Sequence, residues 1–340
     1  MKRIILSFFS LLFLFPMLSL AQPYSGIATD ITAPYNDIEY LIKDVLSDGT
    51  AQISNVTLTV GDPAQTGYFS DSNTANPIFG YEDGVFLSTR GEELLQSSHW
   101  SYGGIGYGAN TADPDLDASL QLLFGANYSS TQHDQNNLIV VEFDIVANLD
   151  YFEFIYSFAS REYQGYTCSG SFNDVFGFYV TGPNPNDPAN PYNGKNIALI
   201  PTDLTQTSFT TTPVSINSLN QGFSTSGNGS NCTSANPNWQ NDFIFFNQNF
   251  GAVNSADFYF TGYTKPLRAF VAAECNETYH MKLAICDVAD GGLGSAVMLE
   301  KGSLRSPVDV AVEPAPNVYP DTNGWFYEGC GTASIKFKRP

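Results

Sequence analysis

Apolar and polar positions alternate along much of the chain in short runs. In residues 53–60, Val56, Leu58 and Val60 alternate with Thr57 and Thr59. In residues 151–159, Phe152, Phe154, Tyr156 and Phe158 share one side. A period of two marks a strand with one buried face, so that aromatic stripe reads as core. The same pattern predicts strands at 84–89, 138–146, 174–181, 196–200, 258–263, 267–272 and 279–286. In the last of these Tyr279, Met281, Leu283 and Ile285 point inward, while His280, Lys282 and Cys286 point to the surface. Helical spacing appears in residues 36–46, where Ile38, Leu41, Ile42 and Val45 share a face behind an Asn36 N-cap. It appears again in 115–124, through Leu116, Leu120 and Leu123. Residues 182–194 and 224–240 are rich in Pro, Gly and Asn and read as long irregular loops. Many short strands set between such clusters predict a mostly β fold, an antiparallel β-sandwich of jelly-roll type with one or two short helices and long loops.

The two ends of the chain depart from this pattern. Met1-Lys2-Arg3 is basic, 4–18 is nearly all apolar, and Ser19 and Ala21 are the small residues that precede a cleavage site. This is the pattern of a secretory signal peptide, residues 1–21. The sandwich is expected over 22–306, with a Pro- and Val-containing linker at 307–326. Residues 327–340 then hold one strand, which cannot bury itself, and read as the start of a truncated following β-domain.

Composition adds location more than chemistry. The formal charge is −20, and losing Lys2 and Arg3 with the signal takes it to −22. Such an excess disfavours nucleic acid and anionic membranes and suits divalent cations. No segment after the signal is apolar enough to span a bilayer. Export permits disulfides, so Cys168, Cys232, Cys275 and Cys286 are disulfide candidates with open connectivity. Cys330 is expected to pair within the missing domain.

No catalytic motif is found: HExxH, the GxSxG elbow and the phosphate-binding glycine patterns are all missing from the sequence. The glycine-rich stretch 103–108 reads as a flexible loop. Asp113, Asp115 and Asp117 read as a helix start. Glu162, Asp174, Asp287 and Asp290 stand at strand ends beside turn residues, where sandwiches place Ca²⁺ ligands. They are the candidate metal residues, and Ca²⁺ the one candidate cofactor.

Eight motifs then occur in order. They are Gly84-Val-Phe-Leu-Ser-Thr89, Asp113-Pro-Asp-Leu-Asp-Ala118, Phe158-Ala-Ser-Arg-Glu-Tyr163 and Phe172-Asn-Asp-Val-Phe-Gly-Phe178. After them come Asn196 to Pro201, Pro213 to Asn217, Thr278 to Ile285 and Val297 to Glu300. Together they resemble the choice-of-anchor L domain of secreted and surface proteins of Bacteroidetes and other bacteria. The chain departs from that pattern at Arg161, where the family usually has an acid, and at Gly294, where it often has Asp. The resemblance implies a modular surface or secreted protein with its anchor or sorting segment elsewhere, and no established activity. The function expected is a non-catalytic module for adhesion or for binding a glycan or protein, stabilised by calcium. The alternatives are a passive spacer and a secreted hydrolase.

Overall fold

The computed structural model describes residues 27–91, 111–163, 165–225, 227–249 and 259–306. The signal peptide, His99, the glycine-rich stretch 103–108, Phe258, the linker, Cys330 and the closing strand lie outside the described residues.

Two antiparallel sheets face each other. The smaller has five strands: β2 (Gln52–Val60), β5 (Gln135–Val146), β14 (Thr278–Val288), β7 (Val175–Gly182) and β8 (Tyr192–Asn196), in that order. The larger runs β1 (Ile27–Asp30), β3 (Thr66–Asp71), β4 (Asp83–Ser88), β15 (Ser295–Glu300), β6 (Tyr151–Ser160), β12 (Gly262–Thr264) and β11 (Phe246–Gln248). Strand β13 (Leu267–Ala272) also pairs with β6, making eight strands. A separate ribbon joins β9 (Leu199–Pro201) to β10 (Phe209–Pro213). The expected sandwich is therefore the fold.

Alternation explains how both faces of a strand are used. Inward, Phe152, Phe154, Tyr156 and Phe158 of β6 meet Phe176 and Phe178 of β7 and Met281, Leu283 and Ile285 of β14. Phe154 and Tyr156 set ring centroids 4.8 and 4.9 Å from Phe178, both edge to face, the geometry that aromatic quadrupoles favour. Outward from the five-stranded sheet, Leu138, Val140, Ala284, Cys286 and Val288 are covered by Leu116, Leu120 and Leu123 of the helix α2 (Pro114–Phe124). Outward from the larger sheet, Phe69, Phe86, Ala296 and Met298 form a third apolar cluster with Phe79 and Tyr81.

The structure corrects several expectations. Lys282 does not face solvent: α2 lies over it, and its ammonium pairs with Asp113 at 2.8 Å and with Asp115 above the Tyr179 ring. Asp113 is the N-cap of α2, accepting from Asp115 N and Leu116 N. The first helix, α1 (Ile38–Tyr40), is capped by Asp37, one residue later than expected, and runs on as wider turns through Leu41–Leu46. The loop 224–240 contains a third helix, α3 (Gly229–Ala235), capped by Asn228. Its polar sequence hid a helix that a disulfide and a cap hold in place. Cys168 and Cys232 form that disulfide. Cys275 and Cys286 are free: Cys286 faces α2 inside the apolar cluster, and Cys275 donates its thiol to Asn148 O.

Truncating Phe178 to Ala removes the ring on which two edge contacts converge. We expect a loss of about 3–5 kcal/mol of unfolding free energy, read as a lower urea midpoint with unchanged slope. Replacing Cys168 and Cys232 together by Ser frees a 64-residue separation and is expected to cost about 2–4 kcal/mol. A midpoint equal to that of the parent would contradict the staple's role.

Candidate functional site

The three inward stripes do not end in apolar residues. Glu162 stands in two-residue register with Phe152 to Phe158, Asp174 with Phe176 and Phe178, and Asp287 with Tyr279 to Ile285. The ends of β6 and β14 and the start of β7 lie together, because Val175 pairs with Cys286 and Ser295 pairs with Ser160. The strand ends therefore bring three carboxyl groups to one end of the inter-sheet core: Asp287 on β14, Glu162 two residues past β6 and Asp174 one residue before β7. All three are buried: Glu162 is 3% exposed, Asp174 0% and Asp287 0%.

Each carboxyl is held by named donors. Asp174 accepts from Val288 N at 2.9 Å and from Ser295 Oγ at 2.6 Å. Asp287 Oδ2 accepts from Asn137 Nδ2 at 2.7 Å, while Asp287 Oδ1 is buried without a hydrogen-bond partner. Glu162 Oε2 lies 3.5 Å from Asp174 N, and Ser160 Oγ accepts from Glu162 N. Arg90 is buried beside the cluster and donates through Nη1 to Gly291 O and Gly292 O, fixing the β14–β15 loop. Asp290, the fourth candidate, is exposed and accepts from Gly292 N at 2.8 Å, which is turn chemistry. The structure thus gathers three of the four candidates and leaves Asp290 at the rim.

Burial, then the charges of their neighbours, push these acids upward. Burial raises Glu162 well above the usual carboxylate range, and Asp287 adds to the effect. Burial raises Asp174 likewise, followed by the charges of Glu162 and Asp287. Burial pushes Asp287 up to about 7, with Thr89, Asn137 and Arg90 opposing. Among the described residues no group of three or more His, Cys, Asp or Glu side chains could hold a metal ion.

Sequence reading missed Thr89, Arg90, Asn137 and Ser295. Asn137 adopts a positive φ of 51°, a conformation that Asn tolerates; the others become visible only through strand register.

The same end carries long loops built on amide side chains. Asn217 donates to Ser169 O and Asn231 to Cys168 O, at 2.8 and 3.0 Å. Asn236 and Asn238 both donate to Asp242. This network, with the disulfide, leaves Tyr166, Phe223, Phe243 and Ile244 exposed by 39, 49, 52 and 37%. Gly222 lies against Phe243, and Gln221 touches Thr167, so these segments adjoin.

Fold and site define a disulfide-stapled β-sandwich module with one elaborated loop end. A family profile, the choice-of-anchor L domain, matches residues 30–305, and the chain belongs to that family. No curated protein and no solved structure matches it.

The raised acids set the sign of a pH effect. A carboxyl titrating higher when folded binds its proton more tightly in the native state. Stability therefore falls as pH rises from about 4, the unfolded value, through about 7 for Asp287. Asp30, Asp144 and Asp203 are shifted the other way and act below that window. In chelator, the melting temperature is expected to drop by about 5 °C between pH 5 and pH 8. A flat or rising profile would count against the buried cluster.

Proposed function

We propose that the chain is an adhesive, ligand-binding module of a secreted or cell-surface multidomain protein, and that its loop end meets an extracellular glycan or protein. Membership of the choice-of-anchor L family points to a surface-associated module that is not a catalytic family. Among the described residues no helix is long and apolar enough to cross a membrane. The observation that carries the reading is the exposed set Tyr166, Phe223, Phe243 and Ile244 on loops tied down by a disulfide and an amide network. Exposed aromatics on rigid loops lose little entropy on binding, which is what a recognition surface needs.

The test is binding of the purified chain to a glycan array and to extracellular protein fractions. A captured ligand should lose at least about tenfold in affinity with Phe223→Ala or Phe243→Ala, the cost of one interface anchor, at unchanged melting temperature. No binding to either panel would leave the passive spacer as the better account.

A further inference from the structure

We propose that Glu162, Asp174 and Asp287 form a proton-operated latch that closes the foot of the β6–β7 connection and so holds Tyr166 and the Cys168–Cys232 disulfide in place. The inference deepens the binding reading by naming a regulator of that surface, and only its purpose rests on that reading.

Three observations carry it. First, the connection begins and ends on the cluster. Glu162 stands two residues past β6 and Asp174 one before β7, and Glu162 Oε2 lies 3.5 Å from Asp174 N across the base. Between them come Tyr166, whose N–H donates to Glu162 O at 2.9 Å, and Cys168. Second, the base is joined to the neighbouring loop. Asn173 Oδ1 accepts from Asn217 N, and Asn217 Nδ2 donates to Ser169 O, both at 2.8 Å. Gln221 accepts from Thr167 Oγ1 and donates to Phe223 O. A disturbance at the base therefore reaches both Tyr166 and Phe223. Third, two acceptors meet. The side chains of Asp174 and Asp287 lie within hydrogen-bonding reach of each other. Ionised carboxylates only accept, so a bond between the two requires a proton.

The groups around the cluster set what it senses. Arg90 opposes the charge of Asp287, and Asp290 at the rim adds negative charge beside Glu162. Tyr163 and Cys286 face the acids, and Tyr259 faces Asp287 with Arg90 and Arg161 beside it. Burial pushes all three upward, so they stay neutral while the carboxyl groups titrate. Asp113 acts on Cys286 and is paired with Lys282. The sign follows from burial. Acids that hold protons more tightly when closed release them on opening. Opening is therefore favoured as pH rises from about 4, the unfolded value, through about 7, where Asp287 titrates when closed. Glu162 and Asp174, raised by burial, act in the same direction.

The experiment uses the disulfide as reporter. Both cysteines are fully buried, so a water-soluble phosphine reduces them only when the connection opens. The reduction rate is measured between pH 5 and pH 8, well below the melting temperature, and divided by the rate for the urea-unfolded chain at the same pH. That ratio should rise by up to about tenfold per pH unit for each proton released on opening. Asp287→Asn and Glu162→Gln should each lower the slope, because a neutral amide replaces a titrating acid. Asp203→Asn, an exposed acid of another loop, should keep it. Melting at pH 5 checks that each variant folds. Local opening exposes little surface, so the ratio should respond weakly to low urea. A ratio that stays flat with pH would overturn the proposal. So would a rise that both site variants retain, or one as steep in urea as unfolding itself. The test contains no ligand: a failed latch leaves the binding surface standing, and a chain that binds nothing can still show the latch.

Discussion

The structure depends on one constraint: the inward stripes of β6, β7 and β14 must bury each other, and each stripe ends in an acid. The aromatic rings of Phe154, Tyr156, Phe176 and Phe178 lock edge to face between the sheets. Their packing fixes strand register. Register in turn carries Glu162, Asp174 and Asp287 to the same buried end of the core, whatever the electrostatic cost. Core and cluster are therefore linked: the strands that build the core end beside the segments that carry the acids.

That cost explains the unusual support around the cluster. Backbone N–H of Val288, the hydroxyl of Ser295 and the amide of Asn137 all donate into it. Arg90 spends its guanidinium on the carbonyls of Gly291 and Gly292 and so places positive charge beside the acids. The loops outside this layer are held by different means. They use Asn side chains as substitutes for backbone partners, and one disulfide. A high Asn content, which reads along the sequence as irregular loop, is here the source of loop order.

Much of this was legible in the sequence, for a physical reason. Alternation is a direct record of burial, so the central strands and the aromatic core could be read from β6 and β14 alone. The acids could be singled out because sandwiches place Ca²⁺ ligands at strand ends beside turn residues, although turn capping alone puts such residues there too. What stayed hidden depended on contacts across the chain. Lys282 alternates as a surface residue, yet α2 lies over it and supplies Asp113 and Asp115 as partners. Cys275 and Cys286 looked available for pairing, but Cys286 faces an apolar cluster on a sheet face and Cys275 bonds to a backbone carbonyl. Short strands such as β1 and β11, of four and three residues, carry too few residues to show a period. Helix α3, Gly-Ser-Asn-Cys-Thr-Ser-Ala, has no apolar stripe at all, and only its cap and disulfide announce it.

The central claim is that the acid cluster organises the loop end and little else. Amide protection factors of the chain, compared at pH 5 and pH 8, test this most directly. The account predicts protection lost at pH 8 first at residues 161–163, 165–174 and 287–295, with the far ends of the strands unchanged. Protection lost evenly over the sandwich, or lost first at the opposite end, would contradict it.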